Sequence, residues 1–177
     1  MTHAATLKAL ADITETGLFE RLATSVLREA NPVYEPFVHT GVNTDGKTVK
    51  GPIDGVVFVK NSQRPDMISV HHTTGDRDKL EKKWLYDPST VKRRKKNVKQ
   101  EGAGDIVKTI AIYKDQRART PDLVGTLVLT VTSEPAQELV RETEAIARDA
   151  GITIDLWWDS CMAHFLDTDP TGLWLRK

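Results

Sequence analysis

The chain has 177 residues, 39% of them hydrophobic, enough to bury the core of one domain and too few for two comfortable ones. Lys and Arg number 25 against 25 Asp and Glu, so no overall field draws the protein toward nucleic acid or acidic membrane, and any such attraction must come from a local patch. The single cysteine, Cys161, excludes an intrachain disulfide framework and a cysteine-based zinc site, and no signal peptide or twenty-residue apolar span is present, which predicts a soluble, cytoplasmic protein without membrane partners.

A short amphipathic start over residues 6–13 precedes a clear helix over 17–30, with Thr16 as its expected cap and Leu18, Phe19, Leu22, Val26 and Leu27 at three- and four-residue spacing. Glu20 falls at the margin of that apolar stripe, where a solvated carboxylate is the ordinary expectation. Asn31-Pro32 ends the helix. The Gly-rich segment after it reads as a hairpin or loop around Asp45-Gly46, with Lys47 and Lys50 beside the turn.

Two short apolar strands follow, at 53–59 and 67–73, joined by a polar turn holding Pro65-Asp66, and then a helix over about 76–85. Asp54 opens the first strand. His71, His72, Thr73 and Thr74 close the second, and Lys79, Lys82 and Lys83 lie on the helix. A carboxylate at one strand end, a polar cluster at the next and lysines just beyond suit a hydrated metal and a phosphate.

Residues 92–99 carry Lys92, Arg93, Arg94, Lys95, Lys96 and Lys99, the strongest local charge feature in the chain. Such a run is either a solvated face or the electrostatic footprint of a polyanion, here Arg93, Arg94, Lys95 and Lys96 against nucleic acid. A helix over 105–118 follows, with Asp105 as a plausible cap after Gly104 and Ile106, Ile110 and Tyr113 on one face. The β-branched run 123–133 predicts a strand covered on both faces, Ser133 the cap of a helix over 134–150, and 152–158 a last strand leading into a short helix over 161–169. Parallel neighbours need helical crossovers, so this order predicts a mixed α/β sheet with helices on both faces. The closing Gly-Leu-Trp-Leu-Arg-Lys, just past a helix and with no polar tail, predicts one domain that is part of a longer protein.

This order of motifs resembles the PD-(D/E)XK, or restriction-endonuclease-like, nuclease superfamily. The segments FERLATSVLRE, HTGVNTDGKTVKGPIDG, HHTT with KKWL, and IDLWW followed by AHFLDTDPTGLWLRK are similar to the amino-terminal effector domains of large bacterial defence proteins that carry a STAND-type NTPase and a repeat sensor. The resemblance implies a metal-dependent endonuclease acting on DNA, with RNA a possible substrate, fused to NTPase and sensor domains, forming a homo-oligomer on activation and serving anti-phage defence. It implies that Asp54 binds Mg²⁺ or Mn²⁺ and that Glu20 helps hold the ion or its water. The usual Glu-x-Lys is absent: His71 stands at the carboxylate position and Thr73 at the lysine position, so Lys83, or Lys82 or Lys79, would supply the missing charge.

Glu20, Asp54 and His71 thus form the expected ligand set, with Lys83 the group that offsets charge in the transition state. Imidazole in place of a carboxylate favours Mn²⁺ or another nitrogen-tolerant ion over Mg²⁺. Consecutive strand residues point to opposite faces, so His72 reads as packing under a helix rather than as a second ligand. At least two of Trp84, Trp157 and Trp158 read as core, and Cys161 and His164 as packing. A degenerate fold that only binds nucleic acid or mediates assembly is the alternative that the missing motif keeps open.

Overall fold

A computed structural model describes residues 2–37, 53–60, 65–90 and 102–176. Seven α-helices and four strands are found among them: α1 (His3–Ala11), α2 (Thr16–Ala30), β1 (Gly55–Lys60), β2 (Pro65–Thr73), α3 (Leu80–Leu85), α4 (Asp105–Arg119), β3 (Val124–Val131), α5 (Gln137–Asp149), β4 (Ile152–Trp157), α6 (Asp159–Thr168) and α7 (Pro170–Leu175). The strands form one mixed sheet in the order β1-β2-β3-β4, with β1 antiparallel to β2 and β2, β3 and β4 mutually parallel. The two parallel steps are spanned by α3 with α4 and by α5, as parallel pairing requires.

The pleat sorts β2 between two cores. Ile68 and Val70 pack with Leu27, Tyr34, Phe37 and Val128 on the side of α2, while Met67 packs with Leu80, Trp84, Ile106 and Tyr113 on the side of α3 and α4. A third cluster ties Leu10 of α1 and Phe19, Ala23 and Val26 of α2 to Met162, Ala163 and Leu166 of α6. Every residue of β2 from Met67 to Thr73 is buried, the pattern of a strand covered on both faces. No described helix is long and apolar enough to cross a membrane.

Several local expectations are corrected. Pro65 and Asp66 belong to β2, paired with Lys60 and Val59, rather than to a turn. Proline is tolerated there because it opens the strand, where a missing N–H costs least. Thr16 is the first residue of α2 and Glu15 its cap. Ser133 does not cap α5, which begins at Gln137; its hydroxyl donates instead to the Gly75 carbonyl at 3.2 Å. The helix expected over 76–85 is a 3-10 turn, Arg77–Lys79, followed by the six residues of α3. Such a helix is far below the roughly 12–15 residues at which an isolated helix becomes even marginal. Leu80 and Trp84, both essentially inaccessible, hold it in place. The expected hairpin at 33–52 and the basic run at 92–99 lie mostly or wholly outside the described residues, as do Lys47 and Lys50.

Candidate functional site

The carboxyl ends of parallel strands are where open α/β sheets gather their polar groups. In this sheet that end holds His71 at the close of β2 and, because β1 runs the opposite way, Asp54 just before β1. Gly55 pairs with Val70, which brings Asp54 level with the histidines. Its Oδ2 accepts the backbone N–H of His72 at 2.8 Å, so the carboxylate is fixed by β2 itself. Such a bond leaves the other carboxylate oxygen for a ligand.

His71 points toward α4. Its Nε2 lies 3.0 Å from Thr109 Oγ1, and its Nδ1 lies 3.8 Å from Asp54 Oδ2 and 3.6 Å from Asp105 Oδ1. Burial holds its pKa below the ordinary value of 6.5, outweighing the opposing pull of Asp105 and then Asp54, and Lys108 and Lys83 add to the lowering. The ring is therefore neutral at physiological pH, the form in which an imidazole nitrogen can act as ligand or proton acceptor.

Glu20 reaches the same neighbourhood from α2, on the other face of the sheet. It is buried rather than marginal, 9% exposed, and burial raises its pKa above 4.5 with the Asp54 charge as the second cause. Arg21 and Lys83 pull the other way. Burial and the neighbouring Asp54 carboxylate both favour the protonated form of this acid.

Of the three candidate lysines, Lys83 reaches a buried carboxylate at this end of the sheet. Its Nζ sits 3.3 Å from Asp105 Oδ2. Lys82 lies 5.9 Å over the Tyr86 ring, and Lys79 pairs with Asp76 at 2.6 Å on the surface. Thr73, at the position where the nuclease motif has its lysine, is 4% exposed and its hydroxyl has no hydrogen-bond partner among the described residues.

Asp105 is the residue that sequence reasoning missed. It read as a helix cap, but Gly104 occupies the cap position and the Asp105 carboxylate turns inward, 1% exposed. Lys108 Nζ donates to its Oδ1 at 3.0 Å. Among the described residues Oδ2 accepts no hydrogen bond, the Lys83 ammonium being an ion-pair partner outside hydrogen-bond geometry. The available signal was an acid on each side of the lysine-bearing helix, Asp54 before it and Asp105 after it, rather than any short motif.

His72 packs under α2, as expected, with hydroxyls at both ring nitrogens. Nδ1 lies 2.7 Å from Thr130 Oγ1 and Nε2 3.2 Å from Thr24 Oγ1, with the Phe19 ring edge-on. Trp84 is core. A separate open groove of about 800 Å³ runs along β4 and α6 past Trp157, Trp158, Cys161, His164 and Phe165. Its size alone would favour it as a binding site. Burial raises the Cys161 thiol's pKa, which makes it a poor nucleophile, whereas the carboxylate with a raised pKa, Glu20, and the buried Asp105 with its Lys83 partner lie near the β2 end.

Glu20 and Asp54 are hard oxygen donors whose charges oppose one another, and His71 adds a neutral nitrogen, so the residue types fit a hydrated Mg²⁺ or Mn²⁺. Among the described residues no three His, Cys, Asp or Glu side chains stand together so that they could hold a metal ion. An ion held here would retain much of its water, which is normal for Mg²⁺. No protein-family model and no curated protein matches the chain.

Proposed function

We propose that the chain is a restriction-endonuclease-like domain that hydrolyses phosphodiester bonds of DNA with a divalent metal, as an effector of bacterial anti-phage defence. The observation that carries this reading is the meeting of Asp54, His71 and the Lys83–Asp105 pair at one end of the sheet, with Glu20 close enough to feel the Asp54 charge. Glu20, Asp54 and His71 would hold Mg²⁺ or Mn²⁺, which when bound neutralises phosphate charge and lowers the pKa of water.

The remaining work falls to the chain's own groups. The His72 backbone N–H orients the Asp54 carboxylate. Thr109 fixes the rotation of the His71 ring, and burial keeps that ring uncharged. Lys83, half exposed, places a positive charge where a phosphate can approach from solvent, and such a charge counts most when negative charge builds on the transferring group. The test is cleavage of plasmid and linear duplex with Mg²⁺ or Mn²⁺, using the full-length protein under activating conditions and an Asp54→Ala control.

A second reading, a catalytically degenerate module that binds nucleic acid or mediates assembly, is favoured by one feature. The two positions of the usual Glu-x-Lys are filled by a histidine and a threonine that are 2% and 4% exposed, and so are poorly open to a substrate. Duplex binding without cleavage under either metal would select it.

A further inference from the structure

Asp105 is a carboxylate almost wholly removed from water, and a charge so placed is costly unless paired. Its two cationic partners come from different elements: Lys83 from α3 at 3.3 Å, and Lys108 from the next turn of its own helix at 3.0 Å. Its third neighbour is His71 Nδ1, at 3.6 Å, from β2. Lys83 is otherwise a long, half-exposed side chain on a six-residue helix, with several rotatable bonds to order. Among the described residues no other ion pair or hydrogen bond fixes its head group.

We infer that Asp105 is the positioning residue of the site: its buried carboxylate tethers the Lys83 ammonium beside Asp54 and Glu20 and aligns the His71 ring edge. The arrangement supplies from α4 the negative charge that β2 lacks at His71. Lys108 shares the same carboxylate and limits how tightly Lys83 is held. The tether stands on geometry alone, whereas its part in cleavage rests on the proposed function.

Two readouts separate these. In competitive lysine acylation of the full-length protein followed by mass spectrometry, Asp105→Asn raises labelling of Lys83 by about threefold or more relative to Lys79, which pairs with Asp76 and serves as the internal reference. In the duplex-cleavage assay, Asp105→Asn lowers kcat by about tenfold or more with KM unchanged, Asp105→Glu restores part of it, and Asp105→Asn costs less in a Lys83→Ala background than in the wild type, the remainder being its effect on His71. If Asp105→Asn does not fold, Lys108→Met leaves Lys83 the single lysine on the carboxylate, and Lys83 labelling falls. Unchanged Lys83 labelling in the folded variant overturns the tether, and full additivity of the Asp105 and Lys83 losses overturns its role in cleavage. A wild type that cleaves nothing removes the nuclease reading, and the labelling then decides the tether by itself.

Discussion

The Asp54 carboxylate accepts the backbone N–H of His72, 2.8 Å from Oδ2, so the residue that enters β1 is locked to the strand that carries His71. This bond sets the spacing between the candidate carboxylate and the candidate imidazole without using either side chain of the histidine pair. It also explains why adjacent histidines divide their roles. His71 faces α4 and the charged groups, while His72 is held between Thr24 and Thr130 on the opposite face.

The approach of α4 to α3 is set by a glycine. A Cβ on Gly104 would stand 2.4 Å from the Trp84 carbonyl oxygen and 2.8 Å from the Tyr86 nitrogen, backbone atoms that cannot rotate away. Gly104→Ala should therefore cost about 1–3 kcal/mol and push Asp105 away from Lys83. Urea unfolding measures the first effect, and a rise in Lys83 acylation measures the second.

Acid stability should carry the mark of His71. Its pKa is lowered on folding, so the native state binds fewer protons than the unfolded chain. Its contribution is intact above the unfolded value of 6.5 and is lost as pH falls below that value toward the folded one, at no more than about 1.4 kcal/mol per pH unit. Glu20 acts in the opposite sense: its raised pKa means stability falls as pH rises from 4.5 toward the folded value. Unfolding followed against pH in chelator, for wild type and His71→Gln, isolates the first term. The wild type should lose more stability than the variant on acidification below 6.5.

The basic run is expected to act by charge alone. Replacing Arg93, Arg94, Lys95 and Lys96 with alanine should weaken duplex binding and flatten its salt dependence, because fewer counterions are released, with little change in thermal stability. A filter or anisotropy titration at several salt concentrations reads both. An unchanged slope assigns the run to solvation.

Most of the fold was legible because its signals are local. The amphipathic stripe of α2, the β-branched run of β3 and the helical crossovers each follow from periodicity, and the mixed sheet follows from their order. Helix starts were less legible. Ser133 and Thr16 look like caps, yet the serine hydroxyl is used by the Gly75 carbonyl and Thr16 begins one residue inside its helix. Pro65 was misread for a related reason: proline signals a turn unless tertiary pairing places it at the start of a strand.

The candidate site was legible as residues rather than as geometry. Asp54, His71 and Lys83 were named from their order along the chain; the fold sets His71 3.8 Å from Asp54, and Lys83 against Asp105, which also faces His71. Glu20 was legible as a residue but not as a buried one, since the charges that act on it come from Asp54, just before β1, and Lys83 of α3 as well as from Arg21 of its own helix. Asp105 was hidden by its position, because an acid at a helix start is ordinarily explained by the helix itself. Only the packing of α4 against α3 turns it toward the lysine.

The central claim is that these groups form a working hydrolytic centre, and the most direct measurement is metal-dependent cleavage by wild type, Asp54→Ala and Lys83→Ala in the full-length, activated protein. Asp54→Ala should abolish cleavage under both Mg²⁺ and Mn²⁺. Lys83→Ala should lower kcat by about tenfold or more with duplex affinity nearly unchanged, because its charge acts on the transition state rather than on bound substrate. Absence of cleavage by wild type under either metal, or normal cleavage by Asp54→Ala, would contradict the account.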